Sequence, residues 1–295
     1  MRDDKRPVTV LVPYIIDGGT GKRSRLLGRY LEKHLDRPVH VESRTGAVAG
    51  HEAIAAAAPD GLTLGMITGE IGMMHWHPGI TALTPDSYTA LAVPYVEASA
   101  VIVRADAPWA NLGELLDAFR AGTLRGAGSP DFGVWKFSLL GLMRAAGIAR
   151  DRLAWTPTNS GEEGIARLLA GEVDVAPVPM VEAPELIFAG KIRPLATMDG
   201  KRHPLFPAIP TVSEAVGLVW EVAHWRGLVA PAGLAPEVRE VFVNALRAIA
   251  ADPGFSAECR DNGYTLGWRF GDDFTAYMHE DDQQFGHVIR PDDLA

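Results

Sequence analysis

The sequence predicts an α/β protein built on a parallel sheet covered by helices. Apolar runs alternate with amphipathic stretches from residue 8 onward, the connections between them are short, and glycine or proline closes most of them. At 295 residues the chain has room for about two domains.

Each element has its own local signature. "VTVLVPYII" reads as a buried strand and "GKRSRLLGRYLEKHL" as an amphipathic helix, with Leu26, Leu27, Tyr30, Leu31 and Leu35 at helical spacing. "PVHVES" gives a second strand, "AGHEAIAAAAPDG" a helix closed by Pro59 and Gly61, and "LTLGMIT" a third strand. "SAVIVRADAPWANLGELLDAF" holds a strand, a turn and a helix with Asn111 as its cap. "TLRGAGSPDFGVWKFSLLGLMRAAGI" supplies a short strand, a Gly/Ser/Pro loop and a helix. "LAWTPTNSGEEGIARLLAGEVDVAPVPM" reads as strand, polar loop, helix and strand. "WEVAHWRGLVAPAGL" is an apolar segment ending in turn residues, followed by two helical stretches and a final helix over "DDFTAYMHEDDQQFGHVI". No sequence repeat or low-complexity segment interrupts this order.

Composition limits the function classes. An apolar fraction of 47% with 22% charged residues suffices to bury a core. The formal net charge of −9 argues against general nucleic-acid binding, which needs a basic footprint, yet leaves room for a small anion held by local dipoles. The single cysteine, Cys259, excludes an internal disulfide and a cysteine-based metal site. No apolar run approaches the ~20 residues of a membrane-crossing helix. "MRDDKRPVTV" has no apolar signal core, which fits either a cytosolic chain or one whose export leader has been removed.

The stretch "VPYIIDGGTGKRSRLL" is the most suggestive motif. As a P-loop it fails, with Ile16 where the first glycine belongs and Arg23 after Lys22. As a dinucleotide fingerprint it fails at Ser24, the place of the third glycine. What remains is either a glycine loop offering helix N-terminal amides to a small anion, or a plain tight turn capped by Thr20 or Asp17. His75 and His77 in "MMHWHPG" lack a third ligand in sequence and read as a surface loop. Glu162/Glu163 and Asp272/Asp273 stand at helix starts, where they suit the dipole. Trp135, Trp155 and Trp225 fit either core or ligand stacking. No catalytic constellation emerges, and no metal or cofactor is called for.

Several segments together resemble one family, the substrate-binding proteins of tripartite tricarboxylate transporters (the Bug family). "VESRTGAVAG" with "AAAAPDGLTLGMITG" is similar to its Glu-Asn-Arg-Pro-Gly-Ala segment and Pro-Asp-Gly-Tyr-Thr-Leu turn. "LLAGEVDVAPVP" and "IFAGKIRPLATM" resemble its Leu-Leu-Gly-Gly-Gln-Val-Asp and Ala-Gly-Lys-Leu-Arg-Ala-Leu-Ala run. "FPAIPTVSEAVG" and "WRGLVAPAGLAPEV" are similar to its Pro-Asp-Val-Pro-Thr and Trp-x-Gly-Leu-x-Ala-Pro segments. The resemblance implies a two-lobed periplasmic-binding-protein-like fold (type II) with a ligand cleft between lobes. Residues 1–103 and 225–295 would form lobe 1 and 104–224 lobe 2, with "ASAVIVR" and "EVAHWRGLVA" as crossing strands.

The function it implies is capture of a small organic carboxylate, released chemically unchanged to a membrane permease, by a periplasmic monomer whose export leader is absent from the sequence as given. Amides of Gly18, Gly19 and Thr20 and hydroxyls of Thr68, Ser129, Thr158 and Ser160 are expected to hold oxygen atoms, with Phe132, Trp135 and Met180 shaping the apolar part. Tyr14 and Gly133 belong to the same loops. Asp17 stands where the family has glycine, so it either caps the helix or meets a hydroxyl or amine of the ligand. Gly21 replaces the family's aspartate and Phe137 its histidine, and Thr158, Asn159 and Ser160 replace its Tyr-Lys-Gly; three ligand loops are thus rewritten. Lys22 and Arg23 are expected to face solvent, with either within reach of an anion. An enzyme with unrecognised chemistry and a ligand sensor feeding a signalling partner are the rival classes.

Overall fold

A computed structural model describes residues 5–129 and 131–289; residues 1–4, Pro130 of the "SPDFG" loop and residues 290–295 lie outside it. From the N-terminus the chain runs β1 (Val8–Val12), α1 (Gly19–Leu35), β2 (Val39–Ser43), α2 (Ala47–Ala55), β3 (Thr63–Thr68), α3 (Ile71–Met74) and β4 (Tyr88–Ala98). Next come β5 (Ala100–Arg104), α4 (Leu112–Ala121), β6 (Leu124–Ala127), α5 (Val134–Ala145), β7 (Leu153–Thr156), α6 (Gly161–Leu169), α7 (Pro184–Phe188), β8 (Ile192–Thr197) and α8 (Val212–Val216). The last elements are β9 (Ala223–Pro231), α9 (Pro236–Ala250), α10 (Pro253–Asp261), β10 (Leu266–Phe270) and α11 (Asp272–Ile289).

These elements form two compact units. The first takes the described part of Met1–Val96 with Trp225–Gln284, the second Glu97–His224 with the described residues from Phe285 on. The chain changes unit at 96/97, 224/225 and 284/285, where the sequence-based division has 103/104 and 224/225.

The first unit carries a six-stranded sheet ordered β10-β4-β9-β3-β1-β2. β1 runs parallel to both β2 and β3, as strand-helix alternation predicts. β9 pairs antiparallel with β3 and β10 antiparallel with β4, so the sheet is mixed rather than wholly parallel. Neither β4 nor β10 is anticipated by pattern alone, because Pro94 breaks the β4 run. The structure accommodates it with a register shift in the β10 pairing between Leu266 and Arg269, opposite Tyr95 and Val93. A proline without an N–H is tolerated where the partner strand bulges.

β1 buries Val8, Val10 and Val12, and α1 covers this face with Leu26, Leu27 and Leu31. Phe242, Leu246 and Ile249 of α9, Phe255 and the free thiol of Cys259 fill the same core. Burial pushes that thiol up to about 11, so it stays protonated and inert near neutrality. Truncating Phe242 to Ala here would cost about 3–5 kcal/mol.

In the second unit β5 pairs antiparallel with β8, and β6 parallel with β7. The segment "VDVAPVPM" stitches the two ladders together through bridges Ile102–Ala176 and Gly126–Val175. It falls short of the full strand its apolar character predicts because Pro177 and Pro179 each remove a donor from the ladder. Asn111 caps α4, its side chain accepting from the Glu114 amide at 3.0 Å, as expected.

Candidate functional site

In the first unit, three chain segments arrive at the carboxyl ends of β1 and β3: the loop Pro13–Gly18 ahead of α1, the turn Gly69–Glu70 ahead of α3, and the start of β9. Strand register sets Thr68 opposite Arg226. Such edges are where parallel sheets gather ligand-binding loops.

The α1 entry is tightly wound. Gly18 is the N-cap residue, and its amide donates to the Ile15 carbonyl at 3.0 Å, so this amide closes the turn rather than facing a ligand. A Cβ on Gly21 would sit 2.0 Å from the Ile16 carbonyl oxygen, which explains why glycine replaces the family's aspartate here. The amides of Gly19, Thr20 and Gly21 occupy the first turn, where no helical acceptor exists.

Two arginines flank that turn. Arg226 Nε donates to Thr20 Oγ1 at 3.2 Å, and Arg23 Nη1 donates to the Gly19 carbonyl at 3.1 Å. Arg23 is 8% exposed and its guanidinium lies 4.0 Å from the Tyr264 ring centre, correcting the expectation that it faces solvent; Lys22 does. Asp17 is exposed and pairs with Arg25 at 3.1 Å, so it neither caps the helix nor joins the Thr20 cluster.

Beside the cationic edge lies an acceptor set. The Tyr14 hydroxyl donates to Glu70 Oε2 at 2.9 Å and meets Thr68 Oγ1 at 2.7 Å. His51 Nε2 faces the same hydroxyl at 3.4 Å, and its Nδ1 faces Tyr88 Oη at 3.3 Å. The Tyr88 hydroxyl donates to the His51 carbonyl at 3.0 Å, which ties this ring pair to the α2 backbone. Burial pushes the His51 imidazole down to about 3, keeping it neutral. Burial also lifts the Glu70 carboxyl to about 7, while the Tyr14 hydrogen bond and the Arg226 charge pull the other way. Tyr14 is held well above its ordinary range, first by burial and then by the Glu70 charge.

α11 braces this turn from behind. Trp225 Nε1 donates to Asp281 Oδ2 at 3.0 Å, Trp76 Nε1 to Asp282 Oδ1 at 3.0 Å, and His75 Nε2 lies 3.0 Å from the same Asp282 oxygen. Trp225 is fully buried against Phe274, which assigns it to the core. His75 is half-buried and carboxylate-paired rather than in a free surface loop, and no metal-binding cluster occurs among the described residues.

The second unit gathers its own loops at the carboxyl ends of β6 and β7. The Thr158 amide and Trp155 Nε1 both donate to the Ser129 carbonyl, at 3.1 Å each, locking the two loops together. Gly164 of α6 lies so close to Gly128 that a Cβ would approach its Cα to 2.6 Å. Ser129, Phe132 and Gly133 lead into α5, whose first turn holds Trp135, and Thr158 and Ser160 lead into α6. Their hydroxyls also serve the loops: Ser160 caps α6 by accepting from the Glu163 amide at 3.2 Å, and Thr158 donates to the Ser160 carbonyl at 3.1 Å. Trp135 is buried with its ring 5.0 Å from that of His224, Met180 is buried in a 3-10 turn, and Phe132 is half-buried. Phe137 is core.

Arg226, Glu70 and His51 are the candidate-site residues that the sequence reading misses; Arg23 it names, but as a solvent-facing side chain. Arg226 carries a visible flag, a charged residue inside the apolar run "AHWRGLVAP", since buried arginine is uncommon without a polar task.

A family model described as the tripartite tricarboxylate transporter family receptor (TctC) matches residues 24–294. The protein BugT of Bordetella pertussis is 28% identical over 303 residues, covering 97% of this chain and 89% of BugT. A TctC solute-binding protein from Polaromonas, solved without ligand, superposes with a TM-score of 0.84 at 24% identity, covering 97% of this chain and 99% of that one. MatC of Rhodopseudomonas palustris, solved with bound malate, gives a TM-score of 0.81 at 24% identity with the same coverage.

Proposed function

We propose, for a chain that belongs to the tripartite tricarboxylate transporter receptor family, that it captures a small organic carboxylate and passes it unchanged to a membrane permease. The observation that carries this reading is the pair of buried arginines, Arg23 and Arg226, around the first turn of α1. Amides without helical acceptors, a helix dipole and two guanidiniums make one edge strongly favourable to anions despite the chain's net negative charge. In this reading the first unit, residues 1–96 with 225–284, acts as one lobe and the second unit as the other. Ser129, Thr158 and Ser160, with Gly133 and the apolar Phe132, Trp135 and Met180, supply the second unit's own ligand contacts. The protein works as a periplasmic monomer and carries out no chemistry.

A thermal-shift screen of di- and tricarboxylates, aromatic acids and amino acids tests it. A true ligand at a hundredfold excess over Kd adds ~2.7 kcal/mol of stability and raises Tm. Thr20→Val, which removes the Arg226 acceptor, should weaken that ligand about tenfold, or ~1.4 kcal/mol. A screen in which no acid raises Tm would overturn the carboxylate assignment. Recovery of a chemically altered acid after incubation would favour the enzyme class instead.

A further inference from the structure

We propose that Glu70 selects, among carboxylic acids, those that bear a hydrogen-bond donor, an ammonium or a hydroxyl, close to the carboxylate. This rests on the receptor reading and deepens it by naming what else the ligand must carry.

The first unit's candidate site has two chemically opposite edges. One edge holds donors and cations: the α1 first turn, Thr20 and Arg226. Two residues beyond Thr68, which faces Arg226 across the β3–β9 ladder, stands Glu70, an acceptor when ionised. The Tyr14 hydroxyl spans Thr68 and Glu70, so donor and acceptor edges meet within one side chain's reach.

Glu70 is under-served for a carboxylate. A carboxylate has about four acceptor positions. Its Oε2 accepts one hydrogen bond, from Tyr14, and among the described residues its Oε1 accepts none and no ion pair reaches it. Partial burial makes this arrangement costly, as the rise of the Glu70 carboxyl to about 7 reflects. A ligand N–H or O–H at Oε1 relieves that cost. A second ligand carboxylate in the same place adds like-charge repulsion instead. Thr68 and Tyr14 cannot substitute for the ligand donor, since Tyr14 already gives its proton to Oε2 and Thr68 bonds to Tyr14.

The test compares acids of equal chain length. Succinate, malate and aspartate form one set, and propionate, lactate and alanine another, each titrated into the whole protein by calorimetry. Wild type should bind at least one donor-bearing acid of a set tenfold or more tighter than its plain counterpart. The ammonium and hydroxyl arms tell which donor is read. Glu70→Gln, nearly isosteric, should reduce that ratio at least tenfold by weakening the donor acid and tightening the plain one. Tyr14→Phe keeps the carboxylate and should lower affinity across a set while keeping its order.

Equal binding of plain and donor acids overturns the inference, as does a Glu70→Gln variant with the wild-type ranking. A lost ranking in Tyr14→Phe with a kept one in Glu70→Gln would transfer the role to Tyr14 and also overturns it. Absence of binding by every acid in the wider screen would instead overturn the receptor reading itself.

Discussion

Asp281 shows how one side chain ties stability to pH. It is 7% exposed, and burial lifts its carboxyl to about 8, with Trp225's hydrogen bond opposing and the Asp282 charge adding to the rise. The folded state therefore holds this proton more tightly than the unfolded chain, whose ordinary value is 3.8. The resulting stabilisation is complete below that value and is lost as pH rises through about 8. Glu70 acts in the same direction between 4.5 and about 7. His51 acts oppositely: its contribution is present above 6.5 and is lost as pH falls toward about 3. Asp281→Asn keeps an acceptor for Trp225 and removes the charge. It should raise Tm at pH 9 by roughly 4–8 °C, on the order of 2 kcal/mol, and change it little at pH 4. Equal shifts at both pH values, measured by calorimetry, would refute the charge explanation.

Among the elements, α1 and its entry loop carry the sharpest expectations. Gly21→Ala places a methyl 2.0 Å from the Ile16 carbonyl, so the loop must move. The variant should lose about 1–3 kcal/mol of stability, read in urea, together with ligand affinity. Asn111→Ala should cost about 1 kcal/mol through the lost α4 cap and leave affinity alone. The periodic elements are legible in sequence: β1, α1, β2, α2, β3 and α11 follow directly from their apolar spacing. β4 and the "VDVAPVPM" segment are obscured by Pro94, Pro177 and Pro179, since local proline signals turn while the long-range ladder absorbs the missing donor. The loops of the candidate site are legible as places, the glycine turn at α1 and the polar loops before α5 and α6. The charged residues that give them character are not. Arg226 reaches Thr20 across 206 positions and Glu70 reaches Tyr14 across 56, and no local pattern reports such pairs.

At the scale of the whole chain, the last turns of α11 matter more than their terminal position suggests. Phe285, Val288 and Ile289 are buried, and Arg144 bonds to the His287 carbonyl, so the last turn of α11 packs as part of the second unit. Truncation after Gln284 should destabilise that unit by about 5 kcal/mol, at ~1.5–3 kcal/mol per apolar side chain uncovered. Limited proteolysis checks this: new cleavages should concentrate in residues 97–224, and an unchanged digestion pattern would contradict it. One further consequence comes from Cys259, sealed in the first unit's core as the only thiol among 295 residues. Maleimide dyes will ignore the natural protein. A single cysteine introduced at exposed Asn159 can therefore carry an environment-sensitive fluorophore without any background to remove, turning the receptor into an optical sensor of its own cargo.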